Sequence, residues 1–236
     1  MSAPGEELSQ FDISTEEKDK LVAEVVRYVL FKTENNNGCP IKREELAQII
    51  TKRNYKQRNL PAYVIDEARS KLSSIFGYEM RELQRTRSSA NQGRAAASQQ
   101  ADAKSYIIVS QLPDDIYKKF VENKNKSHVT GFTFVVIGII HLAGGKITEE
   151  NLWHHLRRLG LTETEESHPT FGNIKLALEA IVQQRYLQKE KVSGPEGYTV
   201  NYELAERALD GAVIERVKEY VIELVRQDGN NADVTN

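Results

Sequence analysis

Between Ser14 and Asn35, apolar residues arrive in adjacent pairs one helical turn apart: Leu21/Val22, Val25/Val26 and Val29/Leu30, with Glu24 and Arg27 on the other side. That spacing predicts a long amphipathic helix ending between Asn35 and Gly38. Ser14 followed by Glu17 supplies the reciprocal capping pattern that opens it. After Pro40, a second helix is predicted through Glu44, Leu46, Ile49 and Ile50. A third begins at Pro61, carries Val64, Ala68, Leu72 and Ile75 inward, and stops at Gly77. Residues 78–83 and 106–112 alternate as strands, joined by a polar stretch rich in Ser, Ala and Gln.

The same order returns after Asp114. A short helix leads into the apolar run Phe132 to Leu142, which ends on Gly144 and Gly145. Thr148 then caps a helix with Glu149 and Glu150 in its first turn and Leu152, Leu156 and Leu159 on one face. A further helix places Ile174, Leu178 and Ile181 inward, and residues 186–192 and 198–202 form a hairpin about the turn 193–197. The two halves superimpose as text: Ile41-Lys42-Arg43-Glu44-Glu45-Leu46 mirrors Ile147-Thr148-Glu149-Glu150-Asn151-Leu152. The expected fold is mainly α with small β-hairpins (α+β), arranged as tandem winged-helix domains. The expected boundaries are a tail at 1–14, a first domain at 15–112 with a flexible wing insertion at 86–104, a second domain at 113–227, and a tail at 228–236. A last amphipathic helix carrying Val213, Val217, Val221 and Leu224 matches neither repeat, and either clamps the pair or faces a partner.

Composition narrows the function classes. The chain is 39% apolar and 28% charged, the balance of a folded globular protein. Its single cysteine, Cys39, excludes an internal disulfide and a cysteine-built zinc site, and points to a reducing, intracellular setting. No apolar run reaches the ~20 residues that a membrane helix needs, so no membrane is expected as a partner. Net charge is only -2, but it is unevenly spread: residues 41–110 carry thirteen basic and seven acidic side chains, +6, leaving -8 for the remainder. No phosphate-cradling glycine loop or nucleophile elbow occurs. Adjacent His154 and His155 point ~100° apart on a helix, and no histidine pair has metal-ligand spacing. The reading is therefore of a protein that is not an enzyme, with no cofactor, no metal and no small-molecule substrate. Trp153 reads as a core or interface anchor.

Four strings, Pro40-Ile41-Lys42-Arg43, Phe76-Gly77-Tyr78-Glu79, Leu156-Arg157-Arg158-Leu159-Gly160 and Val182-Gln183-Gln184-Arg185-Tyr186-Leu187, resemble the MAGE homology domain in order and spacing over nearly the whole chain. One departure stands out: where many mammalian members carry Trp-Gly-Pro-Arg after the second wing, this chain has Tyr202-Glu203-Leu204-Ala205-Glu206-Arg207. The departure favours the chromosome-complex branch of the family. The resemblance implies a nuclear, chromatin-associated subunit of an SMC-type maintenance and repair complex. Its implied partners are a RING-type subunit, a kleisin subunit and double-stranded DNA.

Individual residues take their expected roles from this frame. Val29 and Leu30 fall where the family places the leucine pair that touches its RING partner, and two adjacent side chains on one helix cannot both face the core equally. Lys52, Arg53, Lys56 and Arg58, interleaved with Tyr55, form the densest cationic cluster; as phosphate contacts they would position a duplex without reading its sequence. The plain alternative is a solvated basic face. Arg69 and Lys71 on the third helix lie beside Asp66 and Glu67, poor chemistry for reading bases. Arg85, Arg87, Arg94 and Lys104 on the polar stretch are placed to follow a DNA backbone, and the stretch is equally well read as a disordered insertion. Arg157, Arg158, Arg185, Lys189 and Lys191 make a second basic strip, and Val217, Val221 and Leu224 are the kleisin candidates. Two other functions stay open: a MAGE-type adaptor that stimulates a RING ubiquitin ligase outside chromosome complexes, and a tandem winged-helix transcription regulator.

Overall fold

Helix α1 (Thr15–Asn35) begins where the capping box closes: Ser14 Oγ accepts from the Glu17 amide at 3.2 Å, and Glu17 Oε2 accepts from the Ser14 amide at 3.1 Å. The computed structural model describes residues 13–52, 59–83, 104–194 and 197–232, and among these the chain divides into two units, one reaching to Glu122 and the other beginning at Asn123. In the first unit α1 is followed by β1 (Ile41–Lys42), α2 (Arg43–Thr51), α3 (Leu60–Phe76), β2 (Tyr78–Leu83), β3 (Ser105–Ser110) and a short exposed helix α4 (Asp114–Phe120). The strands form an antiparallel sheet in the order β1-β3-β2.

The core of this unit is what the sequence pattern dictates for its helices. Leu21, Val22, Val25, Val26 and Val29 of α1 meet Leu46 and Ile50 of α2 and Val64, Ala68 and Leu72 of α3. Pro61 sits in the first turn of α3, where its missing N–H has no partner to lose. Gly77 ends that helix at φ 66°, a left-handed cap that a side chain would strain. Ile75 departs from expectation: it is 68% exposed, because the last turn of α3, Ser73 to Phe76, lies wholly on the surface.

The second unit repeats the plan. A single 3₁₀ turn (Lys124–Lys126) leads into α5 (Ser127–Leu142), then β4 (Lys146–Thr148), α6 (Glu149–Arg158), α7 (Ile174–Gln183), β5 (Leu187–Gly194), β6 (Gly197–Leu204) and α8 (Gly211–Ala232). Its sheet runs β4-β6-β5, the same order. Thr148 caps α6 through the Asn151 amide. Leu152, Trp153 and Leu156 enter a core shared with α5, α7 and both long strands. Leu159, expected inward, is 58% exposed: it lies past the last turn of α6, and buried Leu161 takes its place. The final helix, left open between clamping the pair and facing a partner, lays Val213, Val217 and Val221 on this second core. The fold class is thus mixed helix and small antiparallel sheet, with a three-stranded sheet in each unit rather than a bare hairpin.

Two polar ties brace these units. In the first, Tyr28 Oη donates to Glu45 Oε2 at 2.7 Å and Lys32 Nζ lies 3.3 Å from the same carboxylate, joining α1 to α2. Burial works to raise the Glu45 pKa, but hydrogen bonds from Tyr28, the Lys42 amide and Lys32 outweigh it and hold the carboxyl below the usual glutamate value. In the second, Arg185 sits at φ 64° and grips Glu206 with two hydrogen bonds of 2.9 and 2.6 Å. Arg207 stacks over Tyr186 at 4.3 Å and donates to the Gln184 carbonyl.

Both ties are testable. Because the folded pKa of Glu45 is depressed, its contribution to stability is complete above the unfolded value and vanishes as pH falls through the folded one. Acid titration of unfolding between roughly pH 5 and pH 3 should therefore show a shallower loss for Glu45→Gln than for the native chain; parallel curves would remove the tie. Arg185→Ala leaves a carboxylate that is only 6% exposed without its guanidinium. Thermal unfolding should report a loss of about 3 kcal/mol.

Candidate functional site

The outer surface of α1 is set by helix geometry. Val29 continues the inward seam and is fully buried, so it cannot reach a partner in this fold. Leu30, ~100° further round, is half-buried at the seam's edge. Of the expected pair only Leu30 touches solvent. Phe31, which the sequence reading passed over, is 65% exposed. Its signal was present: it stands four residues from Arg27, on the polar stripe, ~200° from Val29. Leu30 and Phe31 are thus the apolar side chains that α1 offers outward in its last two turns.

The expected cationic positions separate into exposed and committed ones. Lys52 is exposed at the C-terminal end of α2, where its amide caps onto the Gln48 carbonyl. Arg53, Lys56 and Arg58, with Tyr55, lie outside the described residues, as do Arg85, Arg87 and Arg94. Arg69 lies over the Tyr106 ring at 5.6 Å and 3.6 Å from Asp66, while Lys71 pairs with Asp19 of α1 at 3.5 Å. Lys104 pairs with Glu82 at 3.1 Å. In a half-exposed setting such pairs contribute little energy, but they occupy the charge.

The second unit shows the same division. Arg185 is committed to Glu206. Lys189 lies over the Tyr202 ring at 5.3 Å and 3.5 Å from Glu149. Burial works against its charge, yet Tyr202, Glu149 and Glu179 outweigh that and keep its pKa above the usual lysine value. Arg157 reaches Glu163 at 3.5 Å. Arg158 and Lys191 are exposed. The expected basic strip is therefore broken at Arg185 and Lys189, whose charges are spent inside the fold.

On α8, Val217 is 1% exposed and Val221 half-buried, both facing the second core, and Tyr220 sits edge-on to Phe134 at 5.4 Å. Ile222, 50% exposed, is an apolar side chain on its outer surface. The Leu224 side chain lies outside the described residues. A cavity of about 470 Å³ opens beside β4, lined by Ala143, Lys146, Ile147, Thr148, Asn151, His155 and Asn201. Lys146 is tied to Glu190 at 2.9 Å and Glu203 at 2.6 Å, and Thr148 to the helix it caps. Of the titratable lining side chains, Lys146 is thus paired and exposed His155 lies edge-on to His154, which is not an acid–base pair. No helix among the described residues is long and apolar enough to cross a membrane.

Comparison with known proteins gives a consistent picture. A family model of the MAGE homology domain matches residues 25–211. The mouse protein named "Non-structural maintenance of chromosomes element 3 homolog" is 29% identical over 184 residues, 78% of this chain and 57% of its own length. Its human counterpart is 28% identical over 183 residues, 77% of this chain and 52% of its own length. Human "MAGE-like protein 2" is 26% identical over 178 residues, which cover 74% of this chain and 12% of that protein. This chain thus spans about half the length of the chromosome-maintenance relatives it matches. A solved structure described as the "Nse1-Nse3-Nse4 complex" contains a chain with the same fold, at TM-score 0.72 and 24% identity, covering 91% of this chain and 93% of that one.

The division of labour on α1 predicts two different responses to truncation. Val29→Ala removes buried core and should cost about 2 kcal/mol in denaturant unfolding. Phe31→Ala should leave stability within about 0.5 kcal/mol. Equal losses would show that Phe31 is held by packing the fold does not reveal.

Proposed function

This chain belongs to the MAGE homology domain family, and from that premise we propose that it is a non-catalytic docking subunit of an SMC-type chromosome maintenance complex in the nucleus. The observation that carries the reading is the match to two chromosome-maintenance relatives along 78% and 77% of the chain, running through both units. A likeness confined to one unit would fit any small helical domain. In this reading the first unit docks a RING-type subunit through Leu30 and Phe31, and the second unit with α8 holds a kleisin subunit. The name of the structurally similar complex, with three distinct components, agrees with a subunit that contacts two others. Any ubiquitin transfer belongs to the RING partner.

Duplex DNA is the third proposed partner, bound through phosphates. The supporting observation is the +6 charge of residues 41–110 in a chain of net charge -2. The committed geometry of Arg69 and Lys71 argues against reading of base edges from α3, and so against a sequence-specific regulator. Lys52 with Arg53, Lys56 and Arg58 supplies the contacts in the first unit, and exposed Arg158 and Lys191 add to them in the second. A MAGE-type ubiquitin-ligase adaptor outside chromosome complexes would keep the RING contact and lack the other two.

Duplex binding measured across a salt series separates these readings. Four neutralised phosphates give a slope of log affinity against log salt near about -3.6. Reversing Lys52, Arg53, Lys56 and Arg58 to glutamate should abolish most of that dependence, and one duplex sequence should bind as well as another. An unchanged slope removes the cluster from the interface, and absence of duplex binding by the native chain favours the adaptor. For the RING contact, Leu30→Ala should weaken association by about 2 kcal/mol, as truncation of a buried interface anchor does.

A further inference from the structure

The turn that ends α1 holds the sole Asn-Gly pair of the sequence, Asn37–Gly38, in an unusual position. The helix closes with paired reverse bonds: the Gly38 amide donates to the Thr33 carbonyl at 2.9 Å and the Asn37 amide to the Glu34 carbonyl at 3.4 Å. This is the Schellman arrangement, in which the left-handed residue is usually glycine. Here it is Asn37, at φ 49°, and the glycine follows at φ 73°. Asparagine tolerates that conformation better than other side chains do. The consequence is an exposed asparagine amide placed directly before the least hindered backbone nitrogen.

We propose that Asn37–Gly38 is a deamidation site whose rate is set by opening of the α1 cap. In the reaction the Gly38 nitrogen attacks Asn37 Cγ. The new N–Cγ bond forms as the Cγ–Nδ2 bond breaks, and ammonia leaves with the proton released by the Gly38 nitrogen. Water then adds across either carbonyl of the cyclic imide and opens it to aspartate or isoaspartate. Amide and water become carboxylate and ammonium, and nothing is oxidised or reduced. While the cap is closed, the attacking nitrogen is directed at Thr33 O and its proton is shared there, so it cannot approach Cγ. Fraying of the last turn releases it.

The product alters the first unit at a sensitive place. Isoaspartate inserts an additional backbone methylene at position 37, close before Ile41, whose side chain is 1% exposed and which pairs with Tyr106 across the sheet. Either product also puts a negative charge at the C-terminal end of a helix, where the dipole disfavours it.

The test is incubation of the full chain at mildly alkaline pH, natively folded and unfolded in urea, followed by peptide mapping and isoaspartyl methyltransferase labelling. Conversion should occur first in the peptide containing Asn37, and at least roughly tenfold more slowly in the folded chain. Across a temperature series the folded rate should track amide hydrogen exchange at Gly38. Asn37→Gly retains the left-handed cap without the reactive amide, and should abolish labelling at this position. Equal folded and unfolded rates would overturn the gate. Absence of folded-state product, or faster conversion at another asparagine, would overturn the site.

Discussion

Both units close through one buried contact, an isoleucine on a strand of two or three residues set against a tyrosine on the long strand beside it. Ile41 faces Tyr106 in the first unit and Ile147 faces Tyr202 in the second, and all four side chains are 7% exposed or less. Each short strand runs directly into a helix, Lys42 into Arg43 and Thr148 into Glu149. The cross-strand pair therefore fixes where that helix starts and how its acidic first turn is placed. From there Glu45 reaches Tyr28 and Lys32, and Glu149 meets Tyr202 and Lys189. Each tyrosine also has a cation over its ring, Arg69 in one case and Lys189 in the other. A duplication that keeps the pair, the acidic first turn and the cation is a packing solution used twice.

The same contact explains what the sequence could and could not reveal. Helices with three or more turns announce themselves through periodicity, and the seams through Val22, Leu46, Leu72, Leu152, Leu156 and Leu178 were all legible. A strand of two residues has no period to detect, so Ile41 and Ile147 were recognised as matching text but not as strands. Helix ends were the other weak point. Ile75 and Leu159 sit in phase with their seams, yet the helix overruns its core in one case and has already ended in the other. Periodicity describes an angle around an axis and carries no information about where the packing partner stops.

Charge was legible as a sum and not as an allocation. Residues 41–110 do carry a surplus of cations, but which cations remain free, there and in the second unit, depends on pairs distant in the chain: Lys71 with Asp19, Lys104 with Glu82, and Arg185 with Glu206. Arg185 is the clearest case. Its charge, near Lys189 and Lys191 in the chain, makes it read as part of a basic strip, whereas its left-handed backbone and bidentate grip make it a structural residue. Cations held this way contribute to the long-range field but cannot each follow a phosphate, so a local charge count overstates the number of contacts available to a duplex.

The segment after β6 shows how such a commitment shapes what lies beyond it. Glu206 and Arg207 set its course: Glu206 returns to Arg185, and Arg207 covers Tyr186 while its backbone amide donates to Arg185 O. Two turns, 183–186 and 205–210, are thereby stapled together, and Ala205 and Ala208 are fully buried between them. The staple determines the point from which α8 departs, and Val213, Val217 and Val221 then lie against the second core. A helix tied down at its start and along its first three turns has little conformational entropy left to lose on binding. A partner seated on its outer surface would find that surface already formed, and its affinity would depend on Ile222 and the charges around it rather than on the valines that the sequence made most conspicuous.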